Sequence, residues 1–145
     1  MITDASIEID APAAVVWDTF IAVEGWPDWT ESVTSLEGLD GSDVALGNRF
    51  RIKQPHLPKV TWTVTAVEHG QSWTWVSKTP GNTTSATHEV ETLGPARTLV
   101  KQRIEQRGIG GRIVGLLMRR TTRRYLDTEG RGLKAASERT RAASA

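Results

Sequence analysis

Three histidines, His56, His69 and His88, are the residues best suited to move a proton near neutral pH, since imidazole is the side chain whose ordinary pKa lies there. Cysteine is absent, which removes disulfides, thiolate metal sites and cysteine nucleophiles together. No histidine or carboxylate pair has metal-ligand spacing, and no Ser, His and Asp set stands out. Nor does a Gly-rich phosphate loop join a strand to a helix, so no metal, cofactor or nucleotide site is expected. His56 is bracketed by Pro55 and Pro58, and His69 adjoins Gly70; both read as exposed turn residues. His88 remains as the candidate catalytic group, a general acid or base. A satisfied core or ligand-contacting imidazole accounts for the same position, because buried polar groups normally find partners.

The elements that must hold His88 follow from periodicity. Residues 2–10 alternate Ile7 and Ile9 against Ser6, Glu8 and Asp10, the pattern of a half-buried strand. Pro12 suits the first turn of a helix capped by Asp10 or Ala11, and 13–23 sets Val16, Trp17, Phe20 and Ile21 at helical spacing before Gly25. Trp26 to Trp29 form a short turn or one-turn helix whose tryptophans plug one end of the core. Strands are then expected over 33–39, 48–54, 60–68, 72–79, 83–93 and 98–106, with connectors short enough to join antiparallel neighbours. The class is α+β: a long antiparallel meander cannot leave its apolar face in water, and only the last segment is long enough to cover it.

That segment, 112–136, reads as a single helix of seven turns. At 100° per residue Gly115, Thr122, Leu126, Gly130, Leu133 and Ser137 share one stripe, with Met118 and Glu129 at its margin. The stripe is small for a core-sealing face. Close approach of a strand and space for a ligand both explain its glycines; on the second reading Gly115 and Gly130 make room for the ligand. The opposite face carries Arg112, Arg119, Arg120, Arg123, Arg124, Arg131, Lys134 and Arg139 and is expected to face solvent or the acidic first half. Ile113, Val114, Leu116 and Leu117 make the first turns apolar nearly all round, so this end should be buried or lie over a pocket mouth.

Even positions of the central strands should point inward, as Val60, Trp62 and Val64 and the set Val90, Val100 and Ile104 suggest. The same parity brings in His88 and Gln102, with Gln54 beside Phe50 and Ile52. In 72–79 the odd positions must point inward instead, because Trp73 and Trp75 would otherwise be two exposed aromatics. The expected ligand-binding set is Gln54, Trp62, Trp75, His88, Gln102, Met118, Thr122 and Tyr125, an apolar wall with few polar groups.

At 145 residues the chain is expected to be one domain over 1–145, with a frayed tail over about 140–145. No apolar run approaches the roughly 18 residues of a membrane span and no basic-then-apolar leader is present, so a cytoplasmic setting without membrane insertion is expected. Net charge is only +1, yet residues 1–48 hold ten acids and no Lys or Arg, so the two halves should attract each other within one fold. Nucleic acid is not an expected partner, since the arginine-rich helix offers only Tyr125 for base stacking. A small hydrophobic molecule is, and a homodimer is compatible with the sequence.

Four pieces of the chain carry a family resemblance. They are Ser6 to Pro12 followed by Val16 and Trp17; Gly25-Trp26-Pro27-Asp28-Trp29; Leu46-Gly47-Asn48-Arg49-Phe50; and Leu126, Glu129, Leu133 and Glu138. With the element order, they resemble the polyketide cyclase/dehydrase group of the SRPBCC or START-like superfamily. The resemblance implies a helix-grip fold, a curved seven-stranded sheet wrapped around a long C-terminal helix with two short helices after the first strand. It further implies a cavity for a hydrophobic, ring-containing ligand between sheet and helix. A true aromatic cyclase or dehydratase would use His88 in an aldol-type cyclisation or dehydration, and a partner-binding protein would use the basic helix face. Fold alone does not choose among these, and enzyme status is left undecided.

Overall fold

In the computed structural model, which describes residues 1–144, seven strands form one antiparallel sheet in the order β1-β7-β6-β5-β4-β3-β2. They are β1 (Ile2–Ile9), β2 (Ser35–Gly38), β3 (Arg49–Lys53), β4 (Val60–Glu68), β5 (Ser72–Thr79), β6 (Asn82–Gly94) and β7 (Arg97–Arg107). Only β1 leaves the meander order, pairing with β7 from Ile2↔Glu105 to Ile9↔Thr98. That pairing sets acidic β1 against basic β7, where Asp4 pairs with Arg103 and Glu8 with Arg97, so the charge halves do meet within the sheet.

Pro12 caps helix α1 (Ala13–Ile21) with its backbone carbonyl, which accepts from the Val16 amide; no side chain does so. α1 is shorter than expected because Ala22 leaves helical geometry, and a 3₁₀ helix over Val23–Asp28 follows. There Trp26 donates its indole N–H to the Phe20 carbonyl at 2.7 Å and stacks on the Phe20 ring, centroids 5.6 Å apart. The core grows from this pair through Trp73, which is wholly buried and meets Trp17, Phe20 and Trp75 edge to face.

The expected single C-terminal helix is two. Helix α2 (Ile109–Leu117) ends where Met118 leaves helical geometry, and α3 (Arg119–Ser144) follows it directly. α3 also runs past the expected end, because Arg141 donates to the Asp10 carbonyl and Glu138 accepts from the Asp10 amide, docking its last turns on the start of α1. Ala145 lies outside the described residues.

Gly115 and Gly130 do not make room for a ligand. A Cβ on Gly115 would lie 2.8 Å from the Gln106 Oε1 and 2.9 Å from the Met1 Cβ, and one on Gly130 would touch Ile7 at 3.5 Å; both glycines seat the helices against protein. The tightest approach within α2 and α3 is at Gly132, where a Cβ would fall 2.0 Å from the Trp29 carbonyl oxygen. Gly130→Ala is therefore expected to stabilise by up to about 1 kcal/mol, the helix-propensity gain. Gly132→Ala is expected to cost about 1–3 kcal/mol despite that gain, because backbone must move. Thermal melting of the two variants checks this; the same shift in both would refute the packing argument.

Candidate functional site

Between the concave face of the sheet and helices α2 and α3 lies a cavity of about 240 Å³. Strands β3 to β7 contribute Ile52, Val60, Trp62, Trp75, Ser77, Thr79, Asn82, Thr84, Ala86, His88, Ile104 and Gln106. Trp26 and Val33 line it from the chain between α1 and β2, and Gln54 and Leu57 from the β3–β4 loop. The helices add Val114, Met118, Thr121, Thr122, Tyr125, Leu126 and Glu129. Alternation along the strands puts these side chains on one face; β5 uses its odd positions because Trp75 sits across from Ala86 in the register. A bulge between Val64 and Ala66 interrupts β4, so the even-position rule holds there only as far as Val64.

Seven of the eight expected ligand-binding residues, Gln54, Trp62, Trp75, His88, Met118, Thr122 and Tyr125, border this one space. Gln102 does not; it lies behind the wall and donates its Nε2 to the Glu129 Oε1 at 2.5 Å. Tyr125 donates its hydroxyl to the Pro55 carbonyl at 2.5 Å, tying α3 to the β3–β4 loop beside the cavity. In that loop exposed His56 takes the left-handed conformation, φ 64°, and exposed His69 packs its ring edge on Trp17; neither borders the cavity.

His88 is buried and stacks on its cross-strand partner Trp73, centroids 4.1 Å apart and 14° from parallel. Its Nδ1 lies 3.4 Å from the Trp73 carbonyl, so a proton on Nδ1 serves that oxygen and leaves Nε2 an acceptor. Burial pushes its pKa down from 6.5 to about 3, against a smaller upward pull from that carbonyl. The expectation that His88 is the group titrating near neutrality therefore fails, because the aromatic cluster around it strips away the water that would solvate an imidazolium. Glu129 takes that place. Burial raises its pKa from 4.5 to about 8, with the Gln102 hydrogen bond opposing, and it borders the cavity.

Glu129 is what reading the sequence missed as chemistry, having been placed only at the stripe margin and among the fold-marking residues. The available signal was a carboxylate three residues from Leu126 and four from Leu133, on a helix face otherwise meant for the core. Trp26 was placed only as a plug of the core, because a 3₁₀ turn has no periodicity to aim it. Asn82 was also missed; its Oδ1 is buried without a hydrogen-bond partner among the described residues, on the cavity wall. No lysine or arginine lines the space. Among the described residues, no cluster of three or more His, Asp or Glu could hold a metal ion.

A curved sheet gripping a C-terminal helix over an apolar cavity defines a helix-grip fold. The chain belongs to the polyketide cyclase / dehydrase and lipid transport family, whose model matches residues 2–138. No curated protein matches it in sequence. Among solved structures, it is similar to the Zhui aromatase/cyclase of Streptomyces sp. R1128 (16% identity, TM-score 0.76, covering 96% of this chain and 94% of that one). A START superfamily protein of Mycobacterium smegmatis is similar as well (15%, 0.74, 96% and 98%). So is the di-domain ARO/CYC BexL of the BE-7585A biosynthetic pathway (20%, 0.75), of which this chain, covered over 95% of its length, spans only 46%. At these identities the likeness is one of fold.

Proposed function

We propose that the chain, as a single ligand-binding domain over 1–145 in a cytoplasmic setting, binds a small hydrophobic, ring-containing molecule between the sheet and α3. The cavity itself carries this reading: Trp26, Trp62 and Trp75 wall it together with aliphatic side chains, while Asn82, Gln54 and Gln106 supply a few polar anchors. An apolar cavity of about 150 Å³ accepts benzene, so 240 Å³ suits one or two rings. The absence of lysine and arginine from the wall argues for a ligand without a carboxylate or phosphate inside it. Native mass spectrometry of the purified protein should reveal a co-purified small molecule, and Trp62→Ala should weaken saturable binding of a ring compound about tenfold, as loss of aromatic contact area does. A panel of one- and two-ring compounds that neither saturate the protein nor quench its tryptophans would defeat the proposal.

A catalytic reading is favoured by one observation, the buried carboxyl of Glu129 poised near pH 8 at the cavity wall. A cyclase or dehydratase must take a proton from carbon and give one to a departing oxygen; a carboxyl so placed can do either, and neutral His88 can accept a hydrogen bond from the reacting hydroxyl. For a polyketide-like substrate that the wild type turns over, Glu129→Gln should lower turnover about 100-fold or more, with His88→Gln losing less. Unchanged turnover in the Glu129 variant rules it out as acid or base. If the wild type turns over no candidate that it binds, binding stands as the function.

A further inference from the structure

The first turns of the C-terminal region, expected to be buried or to lie over a pocket mouth, border the cavity only through Val114 and Met118 and are the most exposed apolar part of the described residues. Five of the eight large hydrophobic side chains left in water belong to α2, with Ile109 at 85%, Ile113 at 58%, Leu116 at 66% and Leu117 at 77% exposure. At 100° per residue these four fall within an arc of about 100°. Gly111 and Gly115 lie on the opposite side, held against Asn82, Gln106 and Met1, so the helix already spends its inner face on the protein. Single exposed aliphatic residues are ordinary; a contiguous stripe on one helix marks a surface that something covers.

Charge indicates what covers it. Residues 106–126 contain six arginines and no acid, and none of the six is in an ion pair among the described residues. Arg112 borders the stripe within α2, while exposed Arg119, Arg120, Arg123 and Arg124 follow directly on α3. A second copy packed symmetrically on this face would set arginine against arginine. A nucleic acid would leave the aliphatic stripe wet. Nine residues are too short to cross a bilayer, and no helix among those described is long and apolar enough to do so. They suit lying along its surface, apolar side down with cations beside it.

We propose that α2 is an interfacial anchor that seats this face on an anionic lipid bilayer. Ile109, Ile113, Leu116 and Leu117 enter the acyl boundary and the arginines meet the headgroups. Val114 and Met118 border the cavity, so docking brings its α2 rim to the membrane. The proposal rests on the outer face of α2 and does not depend on any ligand inside.

Sedimentation of the full chain with phosphatidylcholine vesicles, with and without about one-third phosphatidylserine, tests it. Partitioning should be at least tenfold stronger onto the anionic vesicles and should fall at high salt, as screened arginine contacts do. An Ile113→Ser, Leu117→Ser double variant should lose the binding while melting like the wild type, since both positions are exposed. Weak partitioning that is equal on both vesicles would overturn the proposal, as would a double variant that still binds. So would a solution dimer, seen by light scattering, that the double variant abolishes, because a second copy would then be what covers the stripe.

Discussion

Between pH 6.5 and 8 the protein is expected to lose about 2 kcal/mol of stability, and Glu129→Gln is expected to abolish that loss. From pH 4.5 to about 8 the folded state holds a proton on Glu129 that the unfolded chain has released, so each rising pH unit costs about 1.4 kcal/mol. His88 acts in the opposite sense. From pH 6.5 down to about 3 the unfolded chain protonates an imidazole that the fold keeps neutral, so each falling unit costs about the same. The two slopes cancel between pH 4.5 and 6.5, giving a plateau with a decline on either side. Glu138, held low by its hydrogen bond from Lys134, and Asp40, held low by Arg49, steepen the acid arm. The wild-type minus His88→Gln difference curve therefore isolates the histidine. Urea titrations at half-unit pH intervals read these curves, and a Glu129→Gln protein that still weakens from pH 6.5 to 8 would refute the assignment.

Trp73→Ala is expected to cost about 3–5 kcal/mol, a large part of the roughly 5–15 kcal/mol that holds a domain together. The side chain is wholly buried and touches Trp17, Phe20, Trp26, Trp75 and His88, so its removal opens a cavity that rings on all sides cannot collapse to fill. Trp73→Phe should cost far less than Ala. It keeps most of the ring contacts and removes an indole N–H that finds no hydrogen-bond partner among the described residues. Denaturation midpoints near wild type for the alanine variant would show that Trp73 is not the centre of the core. Because His88 stacks on this ring, the alanine variant should also let water reach the imidazole and raise its pKa toward 6.5, which NMR titration can follow.

The seven strands, the antiparallel meander of the later ones and the α+β class were legible in the sequence because strand alternation and short turns are local properties; the pairing of β1 with β7 is not local and was left to the fold. Trp62 and His88 could be placed on one inner face by parity, and Trp75 by the need to bury it with Trp73, since a strand's side chains can point only two ways. The same rule put Gln102 inward, but parity does not tell a residue at the cavity wall from one behind it. Tertiary structure decided that, by running α3 past β7 so that Glu129 meets Gln102 first. It also decided which group titrates: desolvation depends on what surrounds a side chain, and the aromatic rings around His88, those of Phe20, Trp26, Trp73 and Trp75, come from three separate segments. Gly130 was visible in a small-residue stripe, while its purpose depended on how near Ile7 approaches; Gly132, against the Trp29 carbonyl, lies off that stripe and only the packing showed it. Finally, the apolar composition of residues 113–117 determined that this stretch would seek an apolar partner. Only the break at Met118 decided that the partner is not the protein's own core, because it ends α2 with its small residues turned inward and its large ones in water.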